Sequence, residues 1–269
     1  MSYRVIYADS ARWRSLIGDA APLIESDAFT VRKKEGKTLA GILALPDGSR
    51  VFLKRTEVVS RAAGVMRRFI GSRASWAIRG ARMLREAGFR CAKPLAAMNE
   101  IRGGAIVSSY LMSELLDRAQ ILSIFSLGYH SERLCEIARL RMIAQALARE
   151  VRRLHDSGFY TLDLQQTNIM VEDSGAGPVF YFLDLEDFRR AIRVSERRRF
   201  LNLVHLDRSI GRHVWRSTRL DFLYKYAGRP ASRAERRELV RRYMRVRTSV
   251  ESSHARRRIA RAAGKAIEA

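Results

Sequence analysis

Residues 155–187, HDSGFYTLDLQQTNIMVEDSGAGPVFYFLDLED, carry the pattern that decides the fold. Just upstream, Ala144, Leu147, Val151 and Leu154 recur at helical spacing, and Gly158 is placed to stop that helix. Asp163 then falls in a loop, with Asn168 five residues on. Residues 169–171 predict a short apolar strand. Residues 174–178 are turn chemistry, glycines followed by a proline. Residues 179–183 predict a second strand, and Asp184 stands at its end.

A lone Asp or Asn in a loop is ordinarily a turn residue or a helix cap. The ordered set of helix, Asp-x4-Asn, hairpin and strand-end Asp is much rarer, and it has a chemical reading. A loop Asp can accept or orient the proton of an attacking hydroxyl. An Asn five residues later can reach back to a metal ion, and a carboxylate beyond the next hairpin can hold Mg²⁺ against nucleotide phosphates. This is the spacing of a kinase catalytic core.

The rest of the chain bounds that reading. At 269 residues it is long enough for one large or two small packed units. A hydrophobic fraction of 47% suits a globular protein rather than a disordered one. The formal net charge of +23 implies an anionic partner: nucleic acid, an acidic membrane leaflet or a phosphorylated substrate. No nucleic-acid-binding motif appears, so no nucleic-acid partner is expected. Cys91 and Cys135 lie far apart, which fits neither a disulfide framework nor a zinc site and suits a reducing cytoplasm. No apolar run approaches bilayer length, and the first residues lack the apolar core of a signal peptide. A cytoplasmic protein, able to lie on the membrane surface, is expected.

Upstream, the spacing predicts a strand over 3–7 and a short helix capped by Ser10, then strands over 29–32, 38–45 and 51–54 with turns at 33–36 and 46–48. Lys54 closes the third strand, either as a solvated strand-end lysine or as a phosphate partner. Residues 55–71 are basic and amphipathic: a packed helix with a charged outer face, or a segment lying on a membrane. Residues 72–88 predict a helix capped by Ser72 and ended by Gly88. Strands follow over 93–98 and 105–111, then Ser113, Glu114 and Leu115 as a hinge whose backbone can pair with adenine. Helices are expected over 121–127 and 132–154, and basic helical segments with apolar spacing beyond Asp187.

The stretches LHDSGFYTLDLQQTNIMVE and YFLDLED, with SRASWAIRGARMLREAGFRCAKPLAA upstream and FLNLVHLDRSI and DFLYKYAG downstream, resemble the lipopolysaccharide core kinase family (Kdo/WaaP, InaA-like) over residues 29–250. The resemblance implies an α+β, two-lobed, protein-kinase-like fold: an antiparallel-sheet lobe over 1–113 and a helical lobe over 114–269. It implies ATP and Mg²⁺ as cofactors and phosphorylation of a heptose or Kdo hydroxyl on the lipopolysaccharide inner-core glycolipid, at an anionic membrane surface. Asp163 takes the place of the catalytic carboxylate, Asn168 and Asp184 of the metal ligands, Lys54 of the phosphate lysine, and Glu114 and Leu115 of the nucleotide hinge.

This sequence also departs from the kinase pattern. The turn at 33–36 carries only Gly36 rather than a glycine-rich signature. The helix over 72–88 offers no clear Glu for Lys54: Glu86 comes late, and Glu57 falls in a loop. Gln165 stands where protein kinases have a lysine. Glu186 and Asp187 are either further metal or substrate contacts or partners of Arg189 and Arg190, and His155 reads as structural. The competing functions are a phosphotransferase acting on a protein or small metabolite, and a non-catalytic pseudokinase that binds anionic surfaces.

Overall fold

The structure, a computed structural model, describes residues 2–123, 134–174, 177–211 and 214–267. Apolar alternation around tight turns builds a six-stranded antiparallel sheet from β1 (Ser2–Ala8), β2 (Phe29–Glu35), β3 (Thr38–Ala44), β4 (Arg50–Glu57), β5 (Pro94–Arg102) and β6 (Ala105–Glu114). Their order is β1-β5-β6-β4-β3-β2. Gly36 and Gly48 turn the first two hairpins with φ of +52° and +80°, a region that side chains disfavour. Glu57 belongs to β4 and pairs with Arg55, so it is not a loop residue as expected.

One face of this sheet buries Leu43, Leu53, Met98 and Met112 together with Ile17 and Ala20. The latter two come from α1 (Ala11–Gly18), capped by Ser10 as expected, and α2 (Ala20–Leu23). Two further helices follow β4: α3 (Arg61–Ile70) and α4 (Arg73–Glu86). Ser72 caps α4, accepting from the Ser75 N–H at 3.2 Å. Ala74, Ala77, Ala81 and Leu84 recur every three or four residues and form its buried stripe.

The chain divides into two units. The first comprises Met1–Ala119 and Tyr181–Phe188, the second Gln120–Phe180 and Arg189–Ala269. The division therefore falls beyond residue 113, and a short segment returns to the first unit. Asp117 pairs with Arg50 inside the first unit. The returning segment is fastened by Phe182, whose N–H donates to Arg90 O at 3.0 Å and whose ring meets Phe89 and Phe188 edge-on.

The second unit is mainly helical. α5 (Leu134–Asp156) buries Leu140, Ile143, Leu147, Val151 and Leu154 along one face. Gly158, at φ +83°, ends it in close approach to Ala191, whose N–H donates to Gly158 O. After β8 (Phe159–Thr161) comes β9 (Ile169–Ser174), which lies between β7 (Gln120–Ile121) and β10 (Gly177–Phe182). The turn expected over 174–178 and the helix over 121–127 fall partly outside the described residues. α6 (Glu196–Ile210), α7 (Arg216–Tyr226) and α8 (Arg233–Ile267) complete the unit. Ser232 and Glu235 form a capping box at the start of α8, and Leu239 and Tyr243 bury its inner side. The basic tail is thus one long helix, with arginines paired locally to Glu196, Asp207, Glu238 and Glu251.

Candidate active site

In the first unit, β4 places Lys54 between its neighbours Ala40 and Leu111. The Lys54 ammonium donates to Asp184 Oδ1 and to Glu186 Oε1, both at 2.8 Å. Glu186 is nearly buried, its side chain 5% exposed, while Asp184 keeps 38%. Burial alone would lower the pKa of Lys54, but Glu186 and then Asp184 outweigh it and hold the pKa above the usual lysine value. Arg73, the first residue of α4, approaches Glu186 at 3.6 Å.

Asp184 takes a left-handed backbone, φ 49° and ψ 53°, uncommon for a residue with a side chain. It turns the chain out of β10 into the short 3-10 turn Leu185–Asp187. Gly80 of α4 makes room for that turn: a Cβ there would lie 2.1 Å from Leu185 O.

These contacts identify the carboxylate that α4 lacks. Glu86 pairs with Arg82 on the exposed side of α4, and Glu57 with Arg55. Lys54 instead takes Glu186, two residues past Asp184. Sequence reasoning saw Glu186 either as a further metal or substrate contact or as a partner of Arg189 and Arg190; its pairing with Lys54 joins residues 132 apart. Glu114 stands at the end of β6, where its N–H donates to Lys93 O and its carboxylate accepts from Lys93 N–H. Its amide is therefore committed to the sheet, and Leu115 is the next residue beyond the strand.

In the second unit, the 163–168 loop is held by uncharged donors. Asp163 N–H donates to Thr161 Oγ1 at 3.2 Å, and the Gln165 side-chain amide donates to the Asp163 carboxylate. Asn168 Nδ2 donates to Asp163 O at 3.0 Å, which leaves its Oδ1 as the remaining donor atom for a cation. Gln166 N–H is anchored by Ser209 Oγ.

Beneath the loop lies a network the sequence did not reveal. Asn202 of α6 clamps Thr161, accepting from its N–H at 3.2 Å and donating to its carbonyl at 2.6 Å. That orientation gives Asn202 Oδ1 to the imidazole Nε2–H of His155, 3.1 Å away, and Nδ1 then accepts from the Tyr226 hydroxyl at 2.8 Å. His155 is buried and structural, as expected. Burial, the largest influence, pushes its pKa down to about 4 although the Asn202 bond favours the charged form.

The chemical content is a lysine held by two carboxylates, and a loop Asp whose orientation is set by an amide. Asp184 in the first unit and Asn168 in the second each offer oxygen, the atom type that Mg²⁺ takes as ligand. Among the described residues, no group of three or more His, Cys, Asp or Glu side chains forms a separate metal centre.

Comparison with known proteins follows the same line. No curated protein matches the sequence at a significant level. The structure is similar to a solved one described as WaaP in complex with acyl carrier protein, at 21% identity and TM-score 0.64, covering 94% of this chain and 98% of that one. The profile of the lipopolysaccharide kinase (Kdo/WaaP) family matches residues 59–243, which include Asp163, Asn168, Asp184 and Glu186. With that match over most of its length, the chain belongs to the lipopolysaccharide kinase (Kdo/WaaP) family, phosphotransferases acting on sugar hydroxyls.

Proposed function

We propose that this chain transfers the γ-phosphoryl group of ATP to a heptose or Kdo hydroxyl of a lipopolysaccharide inner core, at the cytoplasmic face of the inner membrane. The observation that carries this reading is the Lys54 ammonium held at 2.8 Å from both Asp184 and Glu186. Phosphoryl transfer needs charge neutralisation and alignment more than covalent chemistry. Lys54 neutralises phosphate charge, and Glu186 keeps it extended toward Asp184. Asp163 orients the acceptor hydroxyl and takes its proton as the new P–O bond forms and ADP leaves. Gln165 fixes the carboxylate for that task. Asn168 and Asp184 would hold Mg²⁺, which supplies further charge neutralisation when bound. Leu115, past the end of β6, is the backbone contact for the adenine, with Glu114 holding the strand end in place. Among the described residues no helix is long and apolar enough to cross a membrane; the net charge of +23 is what supports a place on an anionic membrane surface.

The test is mass spectrometry of the lipopolysaccharide core from cells lacking the gene, complemented with the native chain or Asp163→Asn. The expected result is one phosphate lost on deletion and restored only by the native chain. Full restoration by Asp163→Asn would sink the assigned mechanism, and an unchanged core would move the acceptor elsewhere.

A further inference from the structure

Helix α3 is packed the reverse of a normal surface helix. Its inner side is the small one, centred on Gly64. Gly64 lies so close to β6 that a Cβ would meet Ile106 O at 2.4 Å. Arg61 and Arg68 reach the carbonyls of Gly103 and Gly104 in the β5–β6 turn, and Arg67 lies over the Trp76 ring. Its outer side is apolar. Val65, Met66, Phe69 and Ile70 share one face at helical spacing, and Phe69 is 85% and Met66 55% exposed. Val59, just before the helix, adds to the same exposed apolar set at 76%. The expected charged outer face is therefore overturned.

A soluble monomer gains nothing by turning four large apolar side chains of one short helix to water. The surrounding charge says what covers them. Between Glu57 and Glu86 the sequence has seven arginines and no carboxylate. Arg61 and Arg68 remain exposed at the edge of the apolar face. A short helix with an apolar outer face and arginines along its margin has the chemistry of an interfacial membrane element.

We infer that α3 is the membrane-docking element of this protein: Val65, Met66, Phe69 and Ile70 enter the acyl-chain boundary of an anionic leaflet while Arg61 and Arg68 meet lipid phosphates. This deepens the reading of a membrane-borne acceptor and rests on it for its purpose. The docking itself requires neither nucleotide nor acceptor, so either claim can fail alone.

The experiment uses the full chain and vesicles of phosphatidylglycerol with phosphatidylethanolamine, against phosphatidylcholine. Net positive charge alone will draw the protein to anionic vesicles, so insertion has to be read directly. Cys91 is buried, and in a Cys135→Ser background a Phe69→Cys variant carries one polarity-sensitive fluorophore on α3. The expected result is a blue-shifted, brighter emission on anionic vesicles and none on phosphatidylcholine. The Met66→Glu/Phe69→Glu double variant should keep its melting temperature and partition at least about tenfold less at 0.15 M salt, a concentration that screens surface charge within about 8 Å. A label that stays in water while the chain sediments overturns the proposal, because another face then makes the contact. So does a double variant that partitions normally. A label already shielded without vesicles, with shielding that rises with protein concentration, assigns the face to a second copy of the chain and also overturns it.

Discussion

Lys54 and Asp163 are held by opposite physics. Around Lys54 everything is charged: an ammonium, two carboxylates and the Arg73 guanidinium, with Glu186 almost out of water. Around Asp163 the fixing groups are neutral: a threonine hydroxyl, a glutamine amide, an asparagine, and beneath them an uncharged histidine. Ion pairs out of water are strong when complete and costly when one member is lost. Neutral hydrogen bonds cost less to lose one at a time, but they fix direction. Charge around the lysine therefore ties the site to stability, whereas the Asp163 loop can lose its carboxylate charge and remain folded.

Swapping one charge in each region gives the largest expected contrast. Asp163→Asn should leave the melting temperature near native and lower the phosphotransfer rate by roughly 10²–10⁴. Lys54→Met should lower both. It takes the ammonium away from the nearly buried Glu186 and from Asp184, and we expect about 3 kcal/mol of lost stability, the low end for a broken buried pair because Asp184 is well exposed. Lys54→Met/Glu186→Gln should recover part of that loss in denaturant titrations. A Lys54→Met chain as stable as the native one would break the comparison.

Acid should separate the regions next. The folded His155 has a pKa of about 4, below its ordinary 6.5. The unfolded chain therefore takes up the proton first as pH falls. Stability from this group is complete above pH 6.5 and is lost progressively between about 6.5 and 4, for a total of about 3 kcal/mol. Chemical denaturation at pH 7.5, 6.5 and 5.5 reads this before most carboxylates titrate. His155→Gln should start lower and show a flatter decline across that interval. An identical slope in both would assign the acid sensitivity to other groups.

What the sequence made legible follows distance along the chain. The helix ends at Ser10, Ser72 and Gly158 are local patterns and stand where local rules put them; the loop from Asp163 to Asn168 is local too, and the structure closes it with the Asn168–Asp163 bond. The Lys54–Glu186 pair joins residues 132 apart, so no local pattern could select Glu186 over Glu57 or Glu86. Asn202 was hidden in the same way, in a helix that reads only as basic and amphipathic. The outward apolar face of α3 was hidden for a different reason. Periodicity gives a helix two faces but not which one is buried. Gly64 is the sign that its own side approaches another backbone.

The smallest expected effect is the most specific to the charged region. Gly80→Ala adds one methyl group inside α4, where helix propensity favours alanine by about 1 kcal/mol. A substitution judged by propensity alone would stabilise the protein. The Cβ would sit 2.1 Å from Leu185 O and 3.0 Å from the Leu185 carbonyl carbon, backbone atoms that cannot swing aside. The turn that carries Asp184 and Glu186 must move instead. Overpacking of this kind costs about 1–3 kcal/mol, so the net change should be a loss of about 1 kcal/mol. Activity should fall further than stability, on the order of 10²-fold if the two carboxylates are displaced by about 1 Å. Gly18→Ala is the control, since a Cβ there meets nothing within 4 Å. If both alanine variants keep native rates, α4 does not position the Asp184–Glu186 turn; if only Gly80→Ala loses rate, the spacing of helix and turn sets where Lys54 finds its partners.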